Sequence, residues 1–115
     1  MIFENLPSDG QALIRLARER VCGAGFSGKS GIALSDHAKN ERMIQRQVTL
    51  EDLALCILRG RFFGFESSSN NESVIIRVVG ESSDGDLLAL IIAVGVSRKT
   101  GKLVFTLVTV FQHHN

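Results

Sequence analysis

The chain has 115 residues, of which 44% are hydrophobic and 22% are charged. A chain of this length is expected to fold as one domain that buries a core without disulfides or metal. The formal net charge of +1 excludes a global field that would draw the protein onto nucleic acid or a membrane. There is no signal-peptide pattern, and the longest apolar run, 87–94, is too short to cross a bilayer. A cytoplasmic protein with no membrane partner is therefore predicted.

Three helices are predicted before residue 61. The first is an amphipathic run over 11–21, with Leu13 on its apolar face and Arg18 on its polar face. The second covers about 35–46. The third begins at a capping-box pattern formed by Thr49 and Asp52, and Gly60 is its natural end. Between the first two helices, residues 32–34 are either a short strand or an extended entry to the second helix.

From Arg61 onward the pattern has the period of strands. Strands are predicted near 62–65, 74–79, 87–96 and 103–111, with short polar linkers suited to hairpins. Helices followed by a strand meander indicate an α+β fold. We expect a single domain, 1–115, with N-terminal helices packed on one face of a roughly four-stranded, mainly antiparallel sheet. Residues 1–32 form its N-terminal helix and glycine-rich loop, and residues 33–111 form its main core.

The glycine-rich loop matches a phosphate-binding pattern, since residues 23–30 read GAGFSGKS. A phosphate-binding loop requires a buried strand before it and a helix that begins at the Lys-Ser pair. Here a charged helical segment comes before the loop, and Gly31-Ile32-Ala33-Leu34 comes after it. The pattern is therefore interpreted as a loop whose glycines allow positive φ, and no nucleotide cofactor is predicted.

His37 is the one histidine away from the C-terminus. A near-neutral pKa suits a general acid or base, but an exposed histidine that bonds backbone or a carboxylate is the alternative. Glu41 either orients it or forms a simple surface pair with it. His113 and His114 are adjacent in the sequence, and two adjacent histidines do not make a metal site. No metal is predicted.

Basic residues follow His37 at helical spacing. Lys39, Arg42 and Arg46 fall on one helical face, which is either a solvated basic surface or a phosphate-binding face for RNA. If the helix already includes His37, that side chain projects to nearly the opposite side.

Thr109 lies in the last predicted strand, on the face that it is expected to share with Phe105, Leu107 and Phe111. Its hydroxyl either contacts a substrate phosphate or bonds backbone. Cys22 and Cys56 form no Cys-x-x-Cys motif and are expected to be buried small hydrophobes in a reducing compartment.

Together these residues resemble the pattern of domain-of-unknown-function family 4258. The matching positions are His37-Ala38, Arg42-Met43, Arg46, Val48-Thr49, Asp52-Leu53, Gly60 and the strand end Val108-Thr109-Val110-Phe111. The resemblance covers residues 33–111. That family looks related to small toxin-like folds of the RelE/ParE and barnase–colicin ribonuclease kind, in which helices pack on one antiparallel sheet.

The chain departs from the family pattern at one place. The histidine and the first arginine are usually four residues apart, whereas His37 and Arg42 are five apart. In a regular helix one extra residue rotates His37 by about 100° relative to the arginines. The two could act together if His37 precedes the helix or if a bulge absorbs the extra residue.

The resemblance implies metal-independent RNA cleavage or RNA binding. His37 would act as acid or base, Arg42 and Arg46 would bind the phosphate, and Thr109 would assist. Implied partners are RNA and an antitoxin-like protein. The alternative is a non-catalytic protein-interaction module, such as a homodimer, in which helices or another chain cover the apolar strand 87–94.

Overall fold

Helix α1, Gly10–Ala24, forms from the predicted amphipathic run. The computed structural model of the protein describes residues 10–26, 31–42, 47–67, 73–97 and 99–112. On α1, Leu13 and Ala17 are fully buried. The helix is followed by Gly25, whose backbone N–H donates to the carbonyl oxygen of Val21 at 2.9 Å. Its φ of +62° is in the left-handed region that favours glycine, which explains why the helix stops here.

The second predicted helix begins with a different geometry from the one expected. Residues 36 and 37 are helical, and the chain then forms a π-helix over Ala38–Arg42. In a π-helix each bonded N–H reaches the carbonyl five residues earlier instead of four, so one turn holds an additional residue. The rest of the predicted helix, residues 43–46, lies outside the described residues.

Helix α2, Leu50–Arg59, begins at the predicted capping box, which is confirmed. The Thr49 hydroxyl accepts a hydrogen bond from the Asp52 backbone N–H at 3.1 Å, and Asp52 Oδ2 accepts one from the Thr49 N–H at 3.0 Å. The helix ends at Gly60, as predicted, but Gly60 has an extended backbone conformation, with φ −74° and ψ 171°, and not a positive φ. A Cβ there would lie 2.7 Å from the carbonyl oxygen of Val79, so glycine is needed for close packing.

In the part of the chain that the structure describes, five strands form one mixed sheet. They are β1 (Ile32–Leu34), β2 (Arg61–Ser67), β3 (Ser73–Glu81), β4 (Leu87–Val96) and β5 (Leu103–Gln112). Their order across the sheet is β1-β5-β4-β3-β2. Strand β1 runs parallel to β5, and every other neighbouring pair is antiparallel. The predicted α+β class and the antiparallel meander are confirmed.

The prediction of about four strands is wrong, because residues 32–34 form a fifth. Ile32 pairs with Phe105 and Leu34 pairs with Leu107. Three residues are too few to show the period of a strand, and the partner strand lies far along the chain. Pairing with β5 therefore decides between the two interpretations that the sequence leaves open.

Alternate residues of β4 and β5 are buried, so the sheet has a core face. The set comprises Leu88, Leu90, Ile92, Val94, Phe105, Leu107 and Val110. These side chains belong to the same core cluster as Leu13 of α1 and Leu53 of α2. In contrast, β5 exposes Val104, Val108 and Phe111, each with more than a third of its surface accessible. We call the side of the sheet opposite the core face its outer face.

A β-bulge in β5 decides where Thr109 points. Ile91 pairs with Thr109 whereas Ile92 pairs with Leu107, so Val108 is the additional residue. Because Ile91 and Ile92 are adjacent in β4, they point to opposite faces. Thr109 therefore lies on the outer face, and the prediction that it shares a face with Leu107 is wrong.

Candidate functional site

Ser35 joins the start of the helical segment to β5. Its backbone N–H donates to the carbonyl oxygen of Leu107 at 3.0 Å. Its hydroxyl donates to the carbonyl oxygen of Val108 at 2.8 Å and accepts from the Ala38 N–H at 3.1 Å. One serine thus both begins the helical turn and ties it to the bulge of β5.

This junction places two of the predicted site residues at the same end of the β1–β5 pair. His37 lies two residues after Ser35, and Thr109 directly follows Val108. His37 is exposed and Thr109 is half-buried. The candidate site is therefore on the surface, where solvent and salt screen charges strongly.

The π-helix changes the relation between His37 and Arg42. Residues five apart lie about one turn apart in a π-helix, as residues four apart do in an α-helix. The rotation predicted for a regular helix therefore does not apply over Ala38–Arg42. His37 directly precedes the π-helix and Arg42 ends it, and their joint action stays a prediction.

The predicted site is described only in part. Arg42 is described by its backbone, and Arg46 lies outside the described residues, as do His113 and His114. Lys39 is exposed. His37 and the Arg42 backbone lie in one helical segment, which Ser35 ties to β5, and the convergence of the predicted site side chains stays a prediction.

The glycine-rich loop has the reverse context of a phosphate-binding loop. Helix α1 comes before it and strand β1 comes after it. Phosphate binding would instead need a strand before the loop and a helix after it. Residues 27–30, which include the Lys-Ser pair, lie outside the described residues.

Asp52 is a buried charged residue whose partner the sequence did not reveal. Its Oδ1 accepts hydrogen bonds from the Ser83 hydroxyl at 2.6 Å and the Ser83 backbone N–H at 2.9 Å. With the donor from Thr49, these bonds favour the ionised carboxylate and lower its pKa to about 2. The predicted capping box accounts for one oxygen only, since Ser83 lies far along the chain in the β3–β4 hairpin.

Two arginines of α1 bind backbone carbonyls. Arg18 donates from Nε to Ile57 at 2.9 Å and from Nη2 to Gly60 at 2.7 Å. Arg20 donates to Leu103 at 2.6 Å. Arg18, which the sequence placed on the polar face, therefore binds the carbonyl groups at the end of α2 and is not a free cation.

The two cysteines lie in different environments. Cys56 is fully buried, as expected, and burial raises the pKa of its thiol to about 12. Cys22 is exposed, so the prediction that both are buried is wrong for it. Its position on α1 lies outside the buried stripe of that helix.

No family model, curated protein or solved structure matches this chain. The resemblance of residues 33–111 to family 4258 therefore stays a prediction, and the fold defines the chain as an α+β domain with a five-stranded mixed sheet.

Among the described residues, none of the helices has the length and apolar character needed to span a membrane. In the same part of the chain, no three His, Cys, Asp or Glu side chains are grouped to hold a metal ion.

Proposed function

We propose that this protein is a toxin-like domain that binds RNA and cleaves it without a metal ion. In this proposal His37 is the general acid or base, Arg42 and Arg46 bind the phosphate, and Thr109 assists. The observation that supports it most is the π-helix Ala38–Arg42, since it compensates the extra residue that would otherwise turn His37 away from Arg42.

The chemistry would use the 2′-hydroxyl of the RNA as its nucleophile. His37 would take the proton from this hydroxyl, and the 2′-oxygen would attack the adjacent phosphorus. The bond from phosphorus to the 5′-oxygen would then break, and that oxygen would take up a proton. Guanidinium groups of Arg42 and Arg46 would stabilise the charge that develops on the phosphoryl oxygens.

The surface position of His37 and Thr109 fits a polymeric substrate. His37 is exposed, and Thr109 lies on the outer face of the sheet beside the exposed Val108. The proposal includes packing of both helices on the core face, supported by Leu13 and Leu53, which share one cluster with the buried strand residues. The outer face of β5 is then left accessible to a single strand of RNA.

The proposal is tested by incubating purified protein with single-stranded RNA in the presence of a chelator. Wild-type protein should degrade the RNA, and His37→Ala should abolish the degradation while circular dichroism stays unchanged. A double variant, His113→Ala with His114→Ala, removes two histidines outside the proposed site and should retain full activity. If wild-type protein leaves RNA intact at concentrations where related ribonucleases act, cleavage is refuted. An RNA-binding assay on the same sample then decides whether binding remains.

A second candidate function is a non-catalytic interaction module that forms a homodimer. It is supported by the exposed apolar side chains of β5, Val104, Val108 and Phe111. Sedimentation equilibrium should then give twice the chain mass, and Phe111→Asp should give the monomer mass. Leu50→Asp is the matched control, because Leu50 is an exposed apolar residue on α2. A monomeric wild-type protein at high micromolar concentration would exclude the dimer.

A cytoplasmic location and an antitoxin-like protein partner belong to the ribonuclease proposal. Cys22 and Cys56 are both free thiols, which fits a reducing compartment. Co-purification of the chain with the product of an adjacent small gene, followed by loss of RNA degradation in the complex, would support the partner. An active complex would contradict it.

A further inference from the structure

A cleft of about 800 Å³ lies between the second half of α2 and the β3–β4 hairpin. It is formed on the β2–β3 side of the sheet, whereas His37 and Thr109 lie at the β1–β5 side. Its volume is in the range of about 300–1,000 Å³ that small-molecule sites occupy. The lining side chains that matter here are Leu55, Arg59, Arg61, Glu81, Ser82 and Leu87.

Two arginines line the cleft. Arg59 is the last residue of α2 and Arg61 is the first residue of β2, so they flank Gly60. Both are exposed, and neither forms a hydrogen bond or an ion pair with any residue in the described part of the chain. Guanidinium groups offer planar, paired donors that match the oxygens of a carboxylate or a phosphate.

The turn that carries these arginines is held firmly. The Gly60 N–H donates to the carbonyl oxygen of Cys56 at 2.7 Å, and Arg18 donates to the carbonyl oxygen of Gly60, also at 2.7 Å. Gly60 also packs too closely against Val79 to admit a side chain. The backbone positions of Arg59 and Arg61 are therefore set before any ligand binds, which reduces the entropy that binding would cost.

The other polar groups of the cleft define its charge. Among the described residues that line it, Glu81 is the single carboxylate, and Asp84 and Asp86 of the hairpin are not part of the lining. The described lining therefore carries two positive charges and one negative charge. The Ser82 hydroxyl oxygen accepts from the backbone N–H groups of Asp84 and Asp86, each at 3.2 Å, which leaves its hydrogen to donate.

We propose that this cleft binds an organic anion, a phosphate or carboxylate group carried on an apolar body. Arg59 and Arg61 hold the anionic group, and Ser82 donates to it. Leu55 and Leu87 contact the apolar body. This proposal is independent of RNA cleavage, since it uses none of the residues assigned to that reaction.

The test titrates the full chain with hexyl phosphate, hexanoate and hexanol by isothermal titration calorimetry. At least one of the two anions should bind saturably with one molecule per chain, and the tighter one identifies the anionic group. Hexanol, which has the same apolar body without the charge, should bind at least about tenfold more weakly, because charge-assisted hydrogen bonds are lost. Absence of saturable binding by both anions, or equal binding of hexanol, overturns the proposal.

Matched variants locate the site. The double variant Arg59→Gln with Arg61→Gln should weaken anion binding by about tenfold or more. Lys99→Gln with Lys102→Gln removes the same charge from exposed residues of the β4–β5 hairpin and should leave the affinity unchanged. Glu81→Gln should strengthen binding, since it removes the carboxylate that repels an anion. Equal loss in both double variants would assign the effect to net charge alone and would overturn the proposal.

Discussion

Two helical regions of this protein are held in different ways. Around α2, Asp52 accepts bonds from Thr49 and Ser83, and Arg18 binds the carbonyl groups at the far end of the helix. The segment 35–42, in contrast, is tied to β5 through Ser35 and buries Ala38. One region is built into the core, and the other is tied to the end of β5 and exposes Asp36, His37, Lys39 and Asn40.

The lowered pKa of Asp52 belongs to the region that is built into the core, and its cause is a structural set of hydrogen bonds. The carboxyl group with the lowered pKa is Asp52, whose donors all serve to hold α2 and the β3–β4 hairpin together. Perturbed pKa values are a frequent sign of functional sites, but structural networks produce them as well. The candidate acid or base, His37, lies in the other region.

The largest expected loss of stability comes from a substitution on the buried side of α2. Leu53→Ala should lower the free energy of unfolding by about 2–5 kcal/mol, because it leaves a cavity at a side chain that is fully buried. Leu50→Ala on the exposed side of the same helix should change it by less than about 0.5 kcal/mol. Urea denaturation measures both. Similar losses for the two variants would show that α2 is not packed as described.

The next largest loss of stability is expected when the hydrogen bonds of Asp52 are removed, and it should depend on pH. Asp52→Asn should cost about 1–3 kcal/mol at pH 7, since the ionised acceptor of these hydrogen bonds is lost. In the wild-type protein the folded-state pKa is about 2, below the ordinary 3.8. The unfolded chain therefore binds the proton first, and this stability is present above about pH 4 and is lost as the pH falls towards 2.

Denaturant unfolding between pH 7 and pH 2.5 measures this dependence. Asp52→Asn should flatten the curve below pH 4, whereas Asp84→Asn, at an exposed position of the same hairpin, should leave it unchanged. A wild-type curve as flat as that of Asp52→Asn would contradict the assignment.

A smaller effect is expected where the helical segment meets β5. Ser35→Ala removes the hydroxyl that bonds Val108 and Ala38 and should cost about 1 kcal/mol. Asp36→Ala, at the exposed neighbouring position, is the control and should cost less than about 0.5 kcal/mol. Equal stability of Ser35→Ala and wild type, measured by urea denaturation, would mean that this junction does not hold the segment.

The smallest effect on stability comes from removing the extra residue of the π-helix. Deletion of the exposed Asn40 should convert the turn to an α-helix, change the free energy of unfolding by less than about 1 kcal/mol and preserve RNA degradation. Insertion of an alanine after Asn40 should rotate Arg42 by about 100° and reduce the degradation strongly. If the deletion abolishes degradation and the fold is retained, the π-turn does not align His37 with Arg42.

Features built from residues close together in the chain could be predicted. The capping box needs only Thr49 and Asp52, three residues apart, and its pattern sufficed to place the start of α2. The end of α2 at Gly60 was also predicted, although the reason for glycine is the close approach of Val79 and not a positive φ. The meander could be predicted because β3, β4 and β5 are long enough to show their period.

The sequence by itself thus determined the α+β class, the position of α2 and the antiparallel meander, because local hydrogen bonding and the alternation of apolar residues specify them. Only the tertiary structure decided that β1 pairs with β5 and that the bulge at Val108 turns Thr109 to the outer face. It also decided that Ser83 donates hydrogen bonds to the second carboxylate oxygen of Asp52. Each of these depends on two segments that lie far apart in the chain. The relative position of the two segments comes from packing of the whole core, so no short sequence pattern predicts it.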